Sequence, residues 1–209
     1  LNKLIHNKSF TSSLIQNVAC IYNLNKQGIK NSVMLSYDAN LNDLCEWYKQ
    51  LIGESLGKKE KGITPIKRSK VLGMITHQSF TIAIAGTHGK TTTAALLTHI
   101  LKNSEIDCTA FLGGVSKDFN NNMVLSKKGN IVIVEADEYD HSFHHLYPDI
   151  AVITSIEKDH LDIYENKRSL ETAFQKFASQ VKQKGFLLVH AGVQTELEKP
   201  EDGSKMSYS

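Results

Sequence analysis

The run Gly86-Thr87-His88-Gly89-Lys90-Thr91 brings two glycines, a lysine and a hydroxyl residue together directly after an apolar stretch. Glycines let backbone N–H groups turn inward, and the helix expected to start here adds a dipole that favours anions, so the run reads as a phosphate cradle. Lys90 would then reach the β- and γ-phosphates of a nucleoside triphosphate, and the Thr91 hydroxyl would take a position on Mg²⁺. The common spacing asks for a glycine five positions before Gly89, where this chain has Ile84, so the loop is a shorter variant. An ordinary strand-to-helix turn is the competing reading.

Two further groups fall after apolar runs. Glu135 follows Ile131–Val134, and a carboxylate at that place holds Mg²⁺ directly or through water in other phosphate-loop proteins. Its neighbours Asp137, Glu138 and Asp140 strengthen the negative field, although a solvated acidic loop would have the same composition. Asp159-His160-Leu161-Asp162 follows another apolar run; a neutral imidazole there ligates a metal or meets a phosphate oxygen, and a nearby carboxylate fixes its tautomer. His141, His144 and His145 lack the spacing of zinc ligands, and Phe143 and Leu146 among them suggest a locally packed loop. Cys108 sits inside an apolar run and reads as core.

These groups need a scaffold that presents strand ends. Strands are expected over Phe80–Ala85, Cys108–Leu112 (ended by Gly113-Gly114), Ile131–Val134, Ile150–Ile156 and Phe186–Val189. Helices are expected from about Lys90 to Asn103 and along Leu170, Ala173, Phe174, Phe177, Ala178 and Val181. Strands alternating with helices predict a three-layer α/β domain, a mostly parallel sheet covered on both faces, with residues 131–134 as its central strand. Ligands of such sheets sit at the carboxyl ends of the strands, where all three groups would emerge. Before Pro65 the pattern is hard to read beyond a helix over Leu41–Ile52 and a Gly- and Lys-rich loop. The expected organisation is a partial N-terminal α/β region, 1–64, followed by a domain over 65–209.

Composition narrows the class. Hydrophobic residues make up 41% and charged residues 22% of 209, the usage of a folded globular chain. The 24 basic and 22 acidic side chains are scattered, with no long basic run to follow a nucleic-acid backbone. No stretch approaches the roughly 20 apolar residues of a membrane span, and the start is too polar for a signal peptide, so a cytoplasmic location is expected. Cys20, Cys45 and Cys108 are too far apart for paired zinc ligands and odd in number, which fits reduced thiols. A first residue other than Met and a polar last stretch suggest an incomplete chain.

Taken together and in order, Gly86–Thr93, Glu135-Ala136-Asp137-Glu138-Tyr139-Asp140 and Asp159–Tyr164 resemble the central domain of Mur ligases, over about residues 65–193. The stretch Lys67–Gly73 and the pair Gly113-Gly114 add to the likeness. The resemblance implies a domain that binds ATP through Gly86, Thr87, His88, Gly89, Lys90, Thr91 and Thr92. It implies Mg²⁺ on Thr91 and Glu135, a second Mg²⁺ on His160, and Lys90, Glu135 and His160 as the catalytic set. The activity implied is ATP-dependent amide formation between UDP-N-acetylmuramate and L-alanine through an acyl phosphate, in peptidoglycan precursor synthesis. A UDP-sugar domain before the central one and an amino-acid domain after it are implied as well. Residues 1–64 lack the glycine-rich turn of a complete UDP-binding domain and the sequence does not extend far enough for the amino-acid domain, so the chain by itself is expected to bind nucleotide poorly and catalyse nothing. Rival readings are a sister ligase, either one that attaches a tripeptide to UDP-N-acetylmuramate or a folylpolyglutamate synthase, a phosphate-loop regulatory module without ligase activity, and a purely structural α/β domain.

Overall fold

The computed structural model describes Gln27 and residues 31–34, 64–138, 141–157, 164, 166–198 and 200–209. The chain divides into two compact units, Leu1–Arg68 and Ser69–Ser209. In the first, β1 (Asn31–Met34) pairs in parallel with β2 (Thr64–Lys67). The helix expected over 41–52 lies outside the described residues.

The second unit is built on a sheet of seven strands. Helix α1 (Arg68–Gln78) leads into β3 (Phe80–Ala85), and α2 (Lys90–Asn103) follows. Then come β4 (Cys108–Ser116), β5 (Asn121–Val124), β6 (Ile131–Glu135), β7 (Ile150–Ile153), α3 (Lys167–Ser179), β8 (Phe186–His190) and β9 (Ser204–Tyr208). The strand order is β5-β4-β6-β3-β7-β8-β9, and all neighbours are parallel except β4 and β5. β3 is therefore the central strand, flanked by β6 and β7, and β6, expected at the centre, lies one position from it, where it is still covered on both faces. The near-unbroken apolar sequence of β3 follows from having helices on both sides.

Alternation along the strands sorts their side chains onto two faces. Ala83, Ala85, Val134, Ala151, Ile153, Leu187 and Val189 pack with Leu72 of α1 and with Leu170, Phe174 and Phe177 of α3. Ile84, Ile133, Cys108, Ala110 and Leu112 pack on the other face with Ala94 of α2. The three layers expected from the alternation of strands and helices are present. α3 begins with a capping box: the Asn166 side chain accepts from Ser169 N–H at 2.9 Å, while the Ser169 hydroxyl faces Asn166 N–H. Its buried residues are Leu170, Ala173, Phe174, Phe177 and Ala178, the stripe read from the spacing.

Four departures from the sequence reading are instructive. Gly113-Gly114 does not end the second strand, because β4 continues to Ser116 and turns back in a hairpin with β5. β7 stops at Ile153, and Thr154 and Ser155 are diverted to hold the loop after β3. α1 carries no acidic residue in its first turn and buries only Leu72, Gly73 and Thr76, so no apolar stripe announced it. β9 is exposed along its whole length at the sheet edge, which leaves its sequence polar. Among the described residues no helix is long and apolar enough to cross a membrane.

Candidate functional site

The carboxyl ends of β3, β6 and β7 lie side by side because β3 runs between the other two. β3 delivers Gly86 and Thr87, both buried, and then His88 and Gly89, both exposed, before α2 starts at Lys90. Gly86 has φ 139° and Gly89 φ 81°, the left-handed half of backbone space that glycine occupies without strain. A Cβ on Gly86 would collide with Thr154 Oγ1 and stand 2.8 Å from Ser155 N, so the close approach of the β7 end also requires glycine. Gly89 is the N-cap of α2 and supplies no side-chain cap, which leaves first-turn N–H groups of the helix for an anion.

Residues after β7 brace this loop. Thr87 N–H donates to Ser155 O at 3.1 Å, His88 N–H donates to Ser155 Oγ at 2.9 Å, and Thr154 Oγ1 donates to the carbonyls of Ala85 and His88. The Thr87 hydroxyl meets Ser155 Oγ at 2.9 Å and accepts from Glu157 N–H at 3.1 Å. Thr154 and Ser155 had no chemical motif to mark them; the break in apolar character after Ile153 was their only trace in the sequence.

Thr91 and Glu135 are brought together. The Thr91 hydroxyl donates to Glu135 Oε1 at 2.8 Å, and Gly113 N–H donates to Oε2 at 2.6 Å. A Cβ on Gly113 would lie 2.5 Å from both carboxylate oxygens, so the second glycine pair makes room for Glu135. Thr92 lies exposed in the first turn of α2. Lys90 reaches across the site: its ammonium donates to Gly86 O at 2.7 Å and to Glu138 Oε1 at 2.9 Å, with Oε2 also at 2.9 Å. The Glu138 side chain is 0% exposed and that of Lys90 12%. Burial pushes the Glu138 carboxyl above its ordinary range, and the Lys90 charge pulls part of the way back. Glu138 is thus no member of a solvated acidic loop. Asp137 is exposed, as that reading had it, while Asp140 lies outside the described residues.

Asp159, His160 and Asp162 also lie outside the described residues. The described residues on either side of them touch the site: Glu157 through Thr87, and Tyr164 through its hydroxyl, which donates to Glu138 O at 2.6 Å. Phe143 and Leu146 are buried and His144 stacks on Phe143, while His141 and His145 stay exposed, so the loop packs locally through its apolar residues as its sequence suggested. Cys108 is buried in the core.

The arrangement has the chemistry to take a phosphorylated ligand and a hard cation. Uncapped helix N–H groups and an ammonium meet anionic oxygen, and Thr91 with Glu135 offers two oxygens beside it. Mg²⁺ characteristically binds through one or two protein oxygens while phosphate and water complete its shell. Among the described residues no group of three His, Cys, Asp or Glu side chains stands ready for a metal ion.

Residues 84–207, from the end of β3 through β9, match the family model described as the Mur ligase middle domain. The chain belongs to the Mur ligase family. A UDP-N-acetylmuramate--L-alanine ligase of Porphyromonas gingivalis is 44% identical over 151 residues, covering 72% of this chain and 33% of that protein. The solved structure of UDP-N-acetylmuramate:L-alanyl-gamma-D-glutamyl-meso-diaminopimelate ligase from Neisseria meningitides shares the fold with a TM-score of 0.67 at 22% identity, covering 90% of this chain and 60% of that one. UDP-N-acetylmuramate-alanine ligase from Thermotoga maritima gives a TM-score of 0.53 at 26% identity, covering 63% of this chain and 31% of that one. The chain spans about a third of the length of the curated relatives it matches. In this Mur ligase middle domain the Gly86–Thr91 run, Glu135 and Glu138 all stand at the carboxyl ends of β3 and β6.

Proposed function

We propose that this chain is the ATP-binding middle domain of an ATP-dependent ligase that joins L-alanine to UDP-N-acetylmuramate in peptidoglycan precursor synthesis. The observation that carries the reading is that Thr91 meets Glu135 and Lys90 meets Glu138 at the carboxyl ends of β3 and β6. The 44% identity to a relative named for that reaction supports the choice of substrates. Residues 1–64 are assigned to the UDP-sugar side of the ligase and 65–209 to the ATP-binding side. The reaction belongs to the cytoplasm, where ATP and the UDP-sugar are at hand.

Gly86, Thr87, His88, Gly89, Lys90, Thr91 and Thr92 are assigned to the triphosphate, with helix N–H groups and the Lys90 ammonium opposing its negative charge. Thr91 and Glu135 would hold Mg²⁺, and His160, on the strength of its motif, a second one. Bound there, the metal neutralises charge on the transferring phosphoryl group. The carboxylate of UDP-N-acetylmuramate takes the γ-phosphoryl group, ADP leaves, and the amine of L-alanine displaces phosphate from the acyl phosphate to form the amide. Two anions must approach each other in the first step, which is why the site needs a fixed cation such as Lys90.

The test is ADP release by the complete gene product with ATP, Mg²⁺ and UDP-N-acetylmuramate, offering alanine, glutamate or a tripeptide in turn. Alanine-dependent release is expected, and Lys90→Ala should lower it by about 10²–10³-fold, the scale for removing a preorganised group that opposes developing charge. Its unfolding midpoint should fall, because Glu138 is left buried without its cation, so turnover is compared at a temperature where a melt shows the variant folded. Release that ignores alanine, or a Lys90→Ala variant with parental turnover, would remove the assignment.

A further inference from the structure

Glu138 stands apart from the groups assigned above to ATP and Mg²⁺, yet it is the charged partner of the lysine that serves them. Its side chain is fully buried, an unusual place for a carboxylate, and Lys90 supplies the opposing charge at 2.9 Å. Its main chain is fixed from two directions: Glu138 O accepts from the Tyr164 hydroxyl at 2.6 Å and from His141 N–H at 3.2 Å. An ammonium carries three N–H donors. Gly86 O and Glu138 Oε1 accept two of them in this structure, and for the third an anionic ligand competes with Glu138 Oε2, also at 2.9 Å. A lysine otherwise swings on a flexible four-carbon stem, and ordering such a stem costs entropy that a fixed carboxylate meets before the ligand arrives.

We propose that Glu138 is a positioning residue that holds the Lys90 ammonium against the Gly86 carbonyl, so that the cation is presented to the triphosphate in one place. The inference rests on the reading of Lys90 as the phosphate-binding lysine. It carries two consequences. Glu138→Gln keeps the shape and a hydrogen-bond acceptor but removes the charge, so the lysine loses its anchor while the core stays filled. Since Glu138 acts through Lys90, its removal costs nothing further once Lys90 is gone.

Two measurements on the complete gene product decide it. In NMR spectra of protein labelled with ¹⁵N-lysine, one slowly exchanging ammonium signal is expected, absent from Lys90→Ala and lost or broadened in Glu138→Gln. In kinetics, Glu138→Gln should lower kcat by about tenfold, a coupling of ordinary size for contacting charged groups, while the ATP dissociation constant moves by less than about threefold. Lys90→Ala combined with Glu138→Ala should be no slower than Lys90→Ala alone. An unchanged ammonium signal in Glu138→Gln overturns the proposal. So does a double variant slower than Lys90→Ala by the factor that Glu138→Ala shows alone, because that is the mark of a merely structural role. Should Glu138→Ala fail to fold, Glu138→Gln in the Lys90→Ala background replaces it. A parent protein without alanine-dependent ADP release would strike the ligase assignment instead, and the ammonium signal would still decide whether Glu138 anchors Lys90.

Discussion

Gly113→Ala is the perturbation that most directly tests whether Glu135 is held in a working position. Ordinary contact begins near 3.4 Å, whereas the new Cβ would stand 2.5 Å from both carboxylate oxygens, so the group must retreat by about 0.9 Å. The 2.8 Å bond from Thr91 and the 2.6 Å bond from Gly113 N–H cannot both survive that shift. Because the carboxylate is the flexible end of a partly exposed side chain, the fold should lose no more than about 1–2 kcal/mol. Activity is more sensitive, since a misplacement of about 1 Å at a reacting centre costs up to about 10²-fold. A fall in kcat/KM of about 10–10² is therefore expected, with a higher Mg²⁺ concentration at half-maximal rate. Gly114→Ala is the control: among the described residues its Cβ would meet only Thr91 Cγ2, at an ordinary 3.6 Å. The assay is ADP release by the complete gene product over a Mg²⁺ series, beside a thermal melt. If Gly113→Ala kept parental turnover and Mg²⁺ dependence, the claim that Thr91 and Glu135 form a cation site would be wrong.

Other expectations concern the scaffold. Phe174 is fully buried, edge-on to Phe143 with ring centroids 5.4 Å apart, and Phe174→Ala should lower unfolding free energy in urea by about 3–5 kcal/mol. Burial holds the His144 ring below its ordinary pKa of 6.5, opposed by its bond to Ala173 O and reinforced by Lys176, His141 and His145. The unfolded chain then takes the proton first, so stability should fall as pH drops through about 6.5, and His144→Gln should flatten that dependence in urea titrations at about pH 7.5 and 5.5.

The core strands and two helices were legible because burial on both faces leaves a clear apolar record, as at Phe80–Ala85, Ile131–Val134 and the Leu170–Ala178 stripe. Elements whose stability comes from a neighbour left weaker marks. β9 adds to the edge of a finished sheet by backbone pairing with β8, so its sequence needs no apolar face. α1 owes its close packing to Gly73, where a Cβ would lie 2.5 Å from His145 O, and such a contact is invisible until the partner is placed. In the candidate site, the placement of Lys90 and Glu135 at neighbouring strand ends was readable from residue type and position. Glu138 was not, because a buried carboxylate and a solvated one have the same letter, and only the reach of Lys90 tells them apart.

Strand order explains why so little loop is needed to assemble the site. With β6 and β7 on either side of β3, their ends stand about 4.8 Å from it and about 10 Å from each other, less than the span of two side chains. Lys90, the first residue of α2, can therefore cross from the end of β3 to a carboxylate three residues past β6, and Ser155, two residues past β7, can cross back to hold Thr87 and His88. Had β4, the next strand in sequence, been laid directly beside β3, the end of β6 would be one strand further away and Thr91 could not reach Glu135. The step of the chain over one strand position, later filled by β6, is what turns the Gly86–Thr91 run and the acidic residues Glu135 and Glu138 toward a common edge.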